Sequence, residues 1–394
     1  MEKPFTPDFT NTEVAFAYRT DDALKRARLI FGLLHYPWLV RWGIRIAPWA
    51  LRIGLPVEGL IRKTFFAHFC GGESLQQAAQ TAAHLGDYGV GVILDYGVEA
   101  AAGEDSYEKA VDEFIEAITF AAARPAIPFI SLKVTGFARF SLLEKLDRGE
   151  ALDVAENEEW LRVQDRIRRI CDCASKKDIG VLIDAEESWI QRPVDALAGQ
   201  MMQTFNVGQR VVVYNTYQLY RQDKLDDLKQ SFAQARAQGY WLGAKLVRGA
   251  YMDKERKRAR QIGYPSPIQP DRAATDRDYN EAIRFCMDHV DTIAFFIATH
   301  NAASCRLGAE LIQRRGLAWD HPHICFAQLY GMSDPLTFNL AAAGFRTAKY
   351  LPYGPVKEVM PYLIRRAEEN TAIAGQMGRE YRLICRELKR RHRN

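Results

Sequence analysis

The chain has 394 residues, is 48% hydrophobic, and sets 53 Lys and Arg against 49 Asp and Glu. That composition suits a globular protein with a large core, and a net charge of +4 gives no broad electrostatic footprint for nucleic acid. The chain has no run of 18 apolar residues, and MEKPFTPDFT lacks the basic start and apolar stretch of a secretory leader, so neither a membrane span nor secretion is expected.

Residues 1–85 read as an N-terminal helical arm. Its stretch from 29 to 63 mixes Trp38, Trp42 and Trp49 with Arg41, Arg45, Arg52, Arg62 and Lys63. It has two readings: an arm packed on the rest of the chain, or an interfacial segment lying on anionic lipid.

From residue 89 short β-rich runs alternate with amphipathic helices. The runs are GVILDYG (91–97), PFISLKVTG (128–136), GVLIDAEE (180–187), RVVVYNTY (210–217), LGAKLVRGAY (242–251), AFFIATHN (294–301), HICFAQLYG (323–331) and RTAKYLPYG (346–354). Most are continuously apolar, as parallel strands covered on both faces require. Between them, Asp105 with Glu108 reads as a capping box, Asn157 as a helix cap, and Gly239, Gly316 and Gly344 as helix stops. The expected fold is α/β: a (β/α)8 TIM-like barrel over 86–375, with a final helix over its mouth and a basic C-terminal tail at 376–394. A doubly wound sheet is the alternative, but no G-x-G-x-x-G or G-x-x-x-x-G-K-[ST] follows the first strand.

In such a barrel the chemistry sits at the C-terminal ends of the strands. Those ends carry Asp95 and Glu99, Lys133, Asp184, Asn215, Lys245 and Arg248, Thr299 with His300 and Asn301, Gln328, and Tyr350. The helix after the last strand, MPYLIRRAEEN, places Tyr362, Arg365, Arg366 and Glu369 at i, i+3, i+4 and i+7, in one arc roughly 100° wide. Val359, Met360, Leu363, Ile364 and Ala367 fill a separate apolar arc. Alone, such a cluster is commonly a solvated set of ion pairs. Beside eight polar strand ends it reads as an anion clamp, because two guanidinium forks grip a carboxylate bidentately. No nucleophile signature accompanies it.

Seven cysteines without framework spacing point to a reducing, cytoplasmic setting. His321 and His323 lack a third ligand nearby, so no metal is expected.

The segment YLPYGPVKEVMPYLIRRAEEN resembles the Y-x-P-x-G…Y-x-x-R-R-x-x-E-N signature of proline dehydrogenases. AHFCGGES, VILDYGVE, LIDAEE, NTYQLY, GAKLVRGAYMDKERKRA, ATHN and AQLYGMSDPLTFNLAAAGF add colinear matches from about residue 65 to 375. GAKLVRGAY is similar to the eukaryotic-type monofunctional branch. The resemblance implies FAD-dependent oxidation of L-proline to Δ1-pyrroline-5-carboxylate. It also implies a membrane quinone as acceptor, peripheral contact with the inner face of a membrane, and a separate pyrroline-5-carboxylate dehydrogenase for the product.

It further implies that Arg365, Arg366 and Lys133 hold the proline carboxylate, and that Leu246, Tyr251, Tyr350 and Tyr362 enclose the ring. Asp184 and Glu369 match acidic site positions, and Asp95 with Glu99 match ion-pair positions. Asn215, Lys245, Val247, Arg248, Gly249, Thr299, His300, Asn301, Gln328 and Glu369 match positions around the flavin. Asn215 and Lys245 stand where the bifunctional bacterial enzymes have glutamine and arginine. A different flavin-dependent barrel acting on a small amino or imino acid, such as hydroxyproline, is the alternative; Tyr350, filling space where a ring hydroxyl would protrude, favours proline.

Overall fold

The structure is a computed structural model. It describes residues 7–392 except 35, 37, 39, 41, 47–56, 97–102 and 373, together with the side chains outside 368–377. Glu99 and the side chain of Glu369 therefore lie outside the described residues, as do Arg41, Trp49 and Arg52.

All eight apolar runs become strands: β1 (Val90–Tyr96), β2 (Phe129–Leu132), β3 (Gly180–Ile183), β4 (Val213–Gln218), β5 (Leu242–Val247), β6 (Ile293–Ala298), β7 (Ile324–Leu329) and β8 (Thr347–Tyr353). They close in sequence order, β1 through β8, into a barrel whose described pairings are parallel. This is the (β/α)8 architecture, and the doubly wound sheet is excluded. By contact the chain divides into two compact units, Ala100–Ala327 and the pair Thr6–Glu99 with Gln328–Asn394.

In the first unit, register fixes which side chains enter the lumen. Phe129, Tyr214 and Phe296 come from alternate strands and meet edge to face, with centroids 4.9 Å apart for Phe129–Phe296 and 5.1 Å for Tyr214–Phe296. Such a layer fills a barrel interior. Strand period two then points Thr216, Gln218, Lys245 and Val247 inward, and Asn215, Tyr217 and Leu246 outward to the helices. Gly243 makes the layer possible. A Cβ there would stand 2.1 Å from the Val213 carbonyl oxygen, a contact no side chain tolerates.

Two helix starts differ from expectation. The first interstrand helix (Glu104–Ala122) has Gly103 at its cap with no side-chain bond, and Glu104 and Glu108 turn instead to the buried Arg166. Helix Val154–Lys177 begins earlier than Asn157 suggested, because Asp153 and Glu156 form a reciprocal capping box.

The second unit has its own core. Helices α1 (Thr12–Phe16), α2 (Asp21–Leu34), α3 (Met360–Ala372) and α4 (Ala374–Arg391) contribute Leu24, Ile30, Phe31, Leu363 and Ile384 to one buried cluster. The stretch expected as a basic tail is thus helix α4: Leu383, Ile384 and Leu388 face the core while Arg390 and Arg391 pair with the buried Glu387. These two cations are balanced in place, which the sequence charge alone does not show.

Candidate active site

In the first unit the ends of β2 to β6 build a connected polar set. The buried Lys245 donates to Asp184 Oδ1, and the Asp184 backbone nitrogen donates to Leu132 O at 2.8 Å, which fixes the acid at the tip of β3. Thr216 Oγ1 donates to Ile183 O at 2.7 Å, and Gln218 Nε2 to Glu186 O at 2.7 Å. Lys133 ends β2, half-buried, at the start of the single helical turn Val134–Gly136. That turn is tied to β3 through Glu186, whose carboxylate accepts from Thr135 N at 3.2 Å and Thr135 Oγ1 at 2.6 Å. Burial pushes the Glu186 carboxyl up to about 7, against the opposing pull of Lys133 and the Thr135 hydrogen bonds.

A second cluster gathers around Arg248, just past β5. Its Nε donates to Asp276 Oδ1 at 2.8 Å, Nη1 to Thr299 Oγ1 at 2.5 Å and Nη2 to Ser304 Oγ at 3.0 Å. The guanidinium lies 4.2 Å from the Tyr279 ring centroid. Asn301 caps the helix Ala302–Arg314, its Oδ1 accepting from Ala303 N and Ser304 N, while its backbone nitrogen bonds Thr299 Oγ1. The set therefore offers fixed donors, with the guanidinium balanced by one acid. Gly249 is in the left-handed half of backbone space at φ 133°, where a Cβ would meet the Tyr220 ring at 2.4 Å. Tyr251 and His300 are half-buried beside these strands. The loop after β3 is latched to the helix Met252–Ile262, since Ser188 N and Oγ both donate to Glu255 at 2.6 Å.

Two expected site residues face the other way. Asn215 points to the helix layer and donates to Asp195 at 2.9 Å, and Leu246, fully buried, shares that outward face. The cause is the strand period: one residue along from a lumen position is always outside. Thr216 and Gln218 hold the lumen positions instead. Glu186, Asp276, Thr216 and Gln218 were not singled out from sequence. For the last two only the pleat phase of β4 decides which residues look in, and the meeting of Asp276 with Arg248 across 28 residues left no local signal.

In the second unit, Tyr350 stands half-buried on β8 on the face opposite Lys349, and Gln328 at the end of β7 accepts from Thr337 at 2.7 Å. Asp95 ends β1, half-buried, and raises the buried Cys70 thiol further. On α3 the two arginines differ in exposure. Arg366 is 7% exposed with its guanidinium 5.1 Å from the Tyr362 ring centroid, and Arg365 is half-buried. Tyr362 leaves the polar arc of the helical wheel and joins the buried cluster. A guanidinium carried as far from water as that of Arg366 requires anions or ring faces about it. Among the described residues no group of His, Cys, Asp and Glu has the makings of a metal site.

A (β/α)8 barrel whose strand ends carry cations, acids and fixed donors has the architecture of a barrel enzyme. Residues 78–379 match the family model "Proline dehydrogenase". The chain is 32% identical to proline dehydrogenase 1, mitochondrial, of Dictyostelium discoideum, over 86% of this chain and 67% of that protein. It is 34% identical to the carbapenem antibiotics biosynthesis protein CarD of Pectobacterium carotovorum, over 82% of this chain and 83% of that protein. Among solved structures it is similar in fold to proline utilization A from Bdellovibrio bacteriovorus, with a TM-score of 0.72, 19% identity and 89% of this chain covered. The chain spans only 41% of that larger protein. This chain belongs to the proline dehydrogenase family, oxidoreductases of proline catabolism.

Proposed function

We propose that the chain oxidises L-proline to Δ1-pyrroline-5-carboxylate with FAD as its redox group and passes the electrons to a membrane quinone. The observation that carries this reading is the family match over 78–379, which contains every residue given a role here. Arg365, Arg366 and Lys133 bind the proline carboxylate, the guanidiniums bidentately, and Tyr251, Tyr350 and Tyr362 wall the pyrrolidine ring. Holding the acid end sets the ring carbon beside nitrogen at one fixed reach, the orientation that hydride transfer demands. Asp184 fixes Lys245 by its ion pair, so the lysine acts as an oriented donor.

The donor set fits a flavin: Lys245 and Gln218 line the lumen face, and Arg248, Thr299 and Asn301 form a braced group at the ends of β5 and β6. These residues, with Val247, Gly249, His300 and Gln328, would hold it. When bound, the flavin supplies the hydride acceptor. The substrate nitrogen sheds its proton as the ring C=N bond forms. A separate pyrroline-5-carboxylate dehydrogenase carries out the next oxidation. None of the seven cysteines forms a disulfide, in keeping with a reducing compartment on the inner face of the membrane.

The test is the visible spectrum of the purified full chain, before and after anaerobic addition of L-proline. Flavin absorbance that bleaches with proline supports the reading; a flavin-loaded protein that proline does not bleach overturns it. Comparing kcat/KM for L-proline and 4-hydroxyproline decides the substrate, with proline expected to lead because Tyr350 occupies the room a ring hydroxyl needs.

A further inference from the structure

The helix Met252–Ile262 of the first unit buries an acid among its cations. Glu255 is 0% exposed, whereas Asp253, the other acid of that helix, faces water. A carboxylate taken out of water is costly unless donors satisfy both of its oxygens. Here one residue of the loop after β3 supplies both: Ser188 N donates to one oxygen and Ser188 Oγ to the other, each at 2.6 Å. An apolar pair would bury the same contact at less cost, so the polar pair adds a single fixed register between helix and loop. Two neighbours hold the same joint. Lys254 pairs with the buried Glu187, and Arg258, paired with Glu144, has its guanidinium 4.3 Å from the Trp189 ring centroid.

The joint connects two parts of the site. On the helix side, Glu255 N donates to Tyr251 O at 2.9 Å, so the residue that opens the helix moves with Glu255. On the loop side, Ser188 follows Glu186 by two residues, and the Glu186 carboxylate grips Thr135 N and Thr135 Oγ1, two residues past Lys133. Tyr251 at the end of β5 and Lys133 at the end of β2 are thereby tied through one hydrogen-bonded path across the strand ends of the unit. A wall displaced by about 1 Å costs up to about 100-fold in rate, so a path of this kind bears on turnover.

We propose that Glu255 is a positioning residue: through Ser188 it fixes the helix Met252–Ile262, and so sets the reach between the ring wall at Tyr251 and the carboxylate-binding Lys133. This deepens the proline reading above and rests on it for the roles of Tyr251 and Lys133. Glu255 acts through these two residues and has no substrate contact of its own.

The experiment compares Glu255→Ala and Glu255→Gln in the flavin-loaded full chain. Glu255→Gln keeps the joint, since its amide oxygen accepts from Ser188 N and its amide nitrogen donates to Ser188 Oγ. Its kcat/KM for L-proline should stay within about threefold of wild type. Glu255→Ala opens the joint and should lower kcat/KM roughly 10- to 100-fold. In a Tyr251→Ala background the same change should cost less than about threefold, because the group it positions is gone. An equal loss in both backgrounds overturns the proposal, as does a Glu255→Ala enzyme with wild-type kcat/KM. Ser188→Ala covers a Glu255→Ala chain that fails to fold: with the backbone donor kept, it should lose roughly three- to tenfold in kcat/KM, and no loss overturns the proposal. A wild type that does not oxidise proline defeats the enzymatic reading, and the joint is then decided by hydrogen exchange. Glu255→Ala should speed exchange of the Ser188 and Tyr251 amides by at least about tenfold, and Glu255→Gln should not. Unchanged exchange in the alanine variant overturns the proposal.

Discussion

Glu186 sits 5% exposed between Thr135 and Lys133, and a carboxyl so far from water holds its proton longer than it does in the unfolded chain. Its folded value is pushed up to about 7 from 4.5. Between those values the folded protein binds the extra proton, so this group's contribution to stability falls as pH rises and levels off above 7. Glu186→Gln keeps both partners, since the amide oxygen can accept from Thr135 N and the amide nitrogen can donate to Thr135 Oγ1. Urea unfolding of both proteins at pH 5 and pH 8 should show wild type losing up to about 3 kcal/mol relative to the variant. A difference independent of pH would mean that Glu186 is ionised throughout. A second residue is tested by function. Arg365→Lys retains charge but loses the fork, and losing one charged hydrogen bond costs about 1.5–3 kcal/mol. KM for proline should therefore rise roughly 10- to 100-fold with an unchanged melting temperature; an unchanged KM would remove Arg365 from the carboxylate site.

At the scale of elements, the eight strands were legible because burial on both faces writes itself as unbroken apolar runs. The polar ends were legible too, since a charged residue on an apolar strand stands out. Pleat phase was not. Asn215 and Thr216 are equally polar, and only the contact of Tyr214 with Phe129 and Phe296 inside the lumen tells which of them looks in. Capping failed for a related reason: Glu108 suits a capping box, but Arg166 and Arg169, distant in sequence, claim it. The tight lumen layer also makes a prediction. Gly243→Ala drives a methyl into the Val213 carbonyl, where a neighbouring strand cannot yield without breaking its ladder. Stability should fall by about 2–3 kcal/mol or more, read as a lower urea midpoint at constant slope. Gly199, inside the helix Gln191–Phe205 with nothing within 4 Å of its would-be Cβ, is the control. Its alanine variant should be neutral or stabilised by up to about 1 kcal/mol.

At the scale of the whole chain, residues near its two ends meet in one unit around a single buried acid. Asp334 is 2% exposed; it accepts from Tyr18 Oη at 2.8 Å and Arg19 Nε at 2.8 Å, and pairs with Lys349 of β8 at 2.9 Å. Burial alone would raise its carboxyl, but Arg19 and Lys349 outweigh that and hold it below the usual carboxylate range. Around this centre burial pushes the His68 imidazole down to about 3, keeping it neutral, and pushes Glu380 of α4 up to about 7. Glu380 also accepts from the backbone nitrogen of Ser333, the residue before Asp334. None of this was readable in advance, because Tyr18 and Arg19 lie more than 300 residues from Asp334 and the charged members look like ordinary surface charges in sequence. Removing the central charge leaves two cations buried against neutral neighbours, the costly way to break an ion cluster. Asp334→Asn should therefore destabilise the fold by about 3–5 kcal/mol. Arg19→Gln alone should cost less, because Lys349 still compensates the acid. The double variant should then be less destabilised than the sum of the two by about 1–2 kcal/mol, since each change removes part of what the other disturbs. Strict additivity in that cycle would mean Arg19 and Asp334 stabilise the unit independently, and that the chain ends are fastened by their apolar contacts alone.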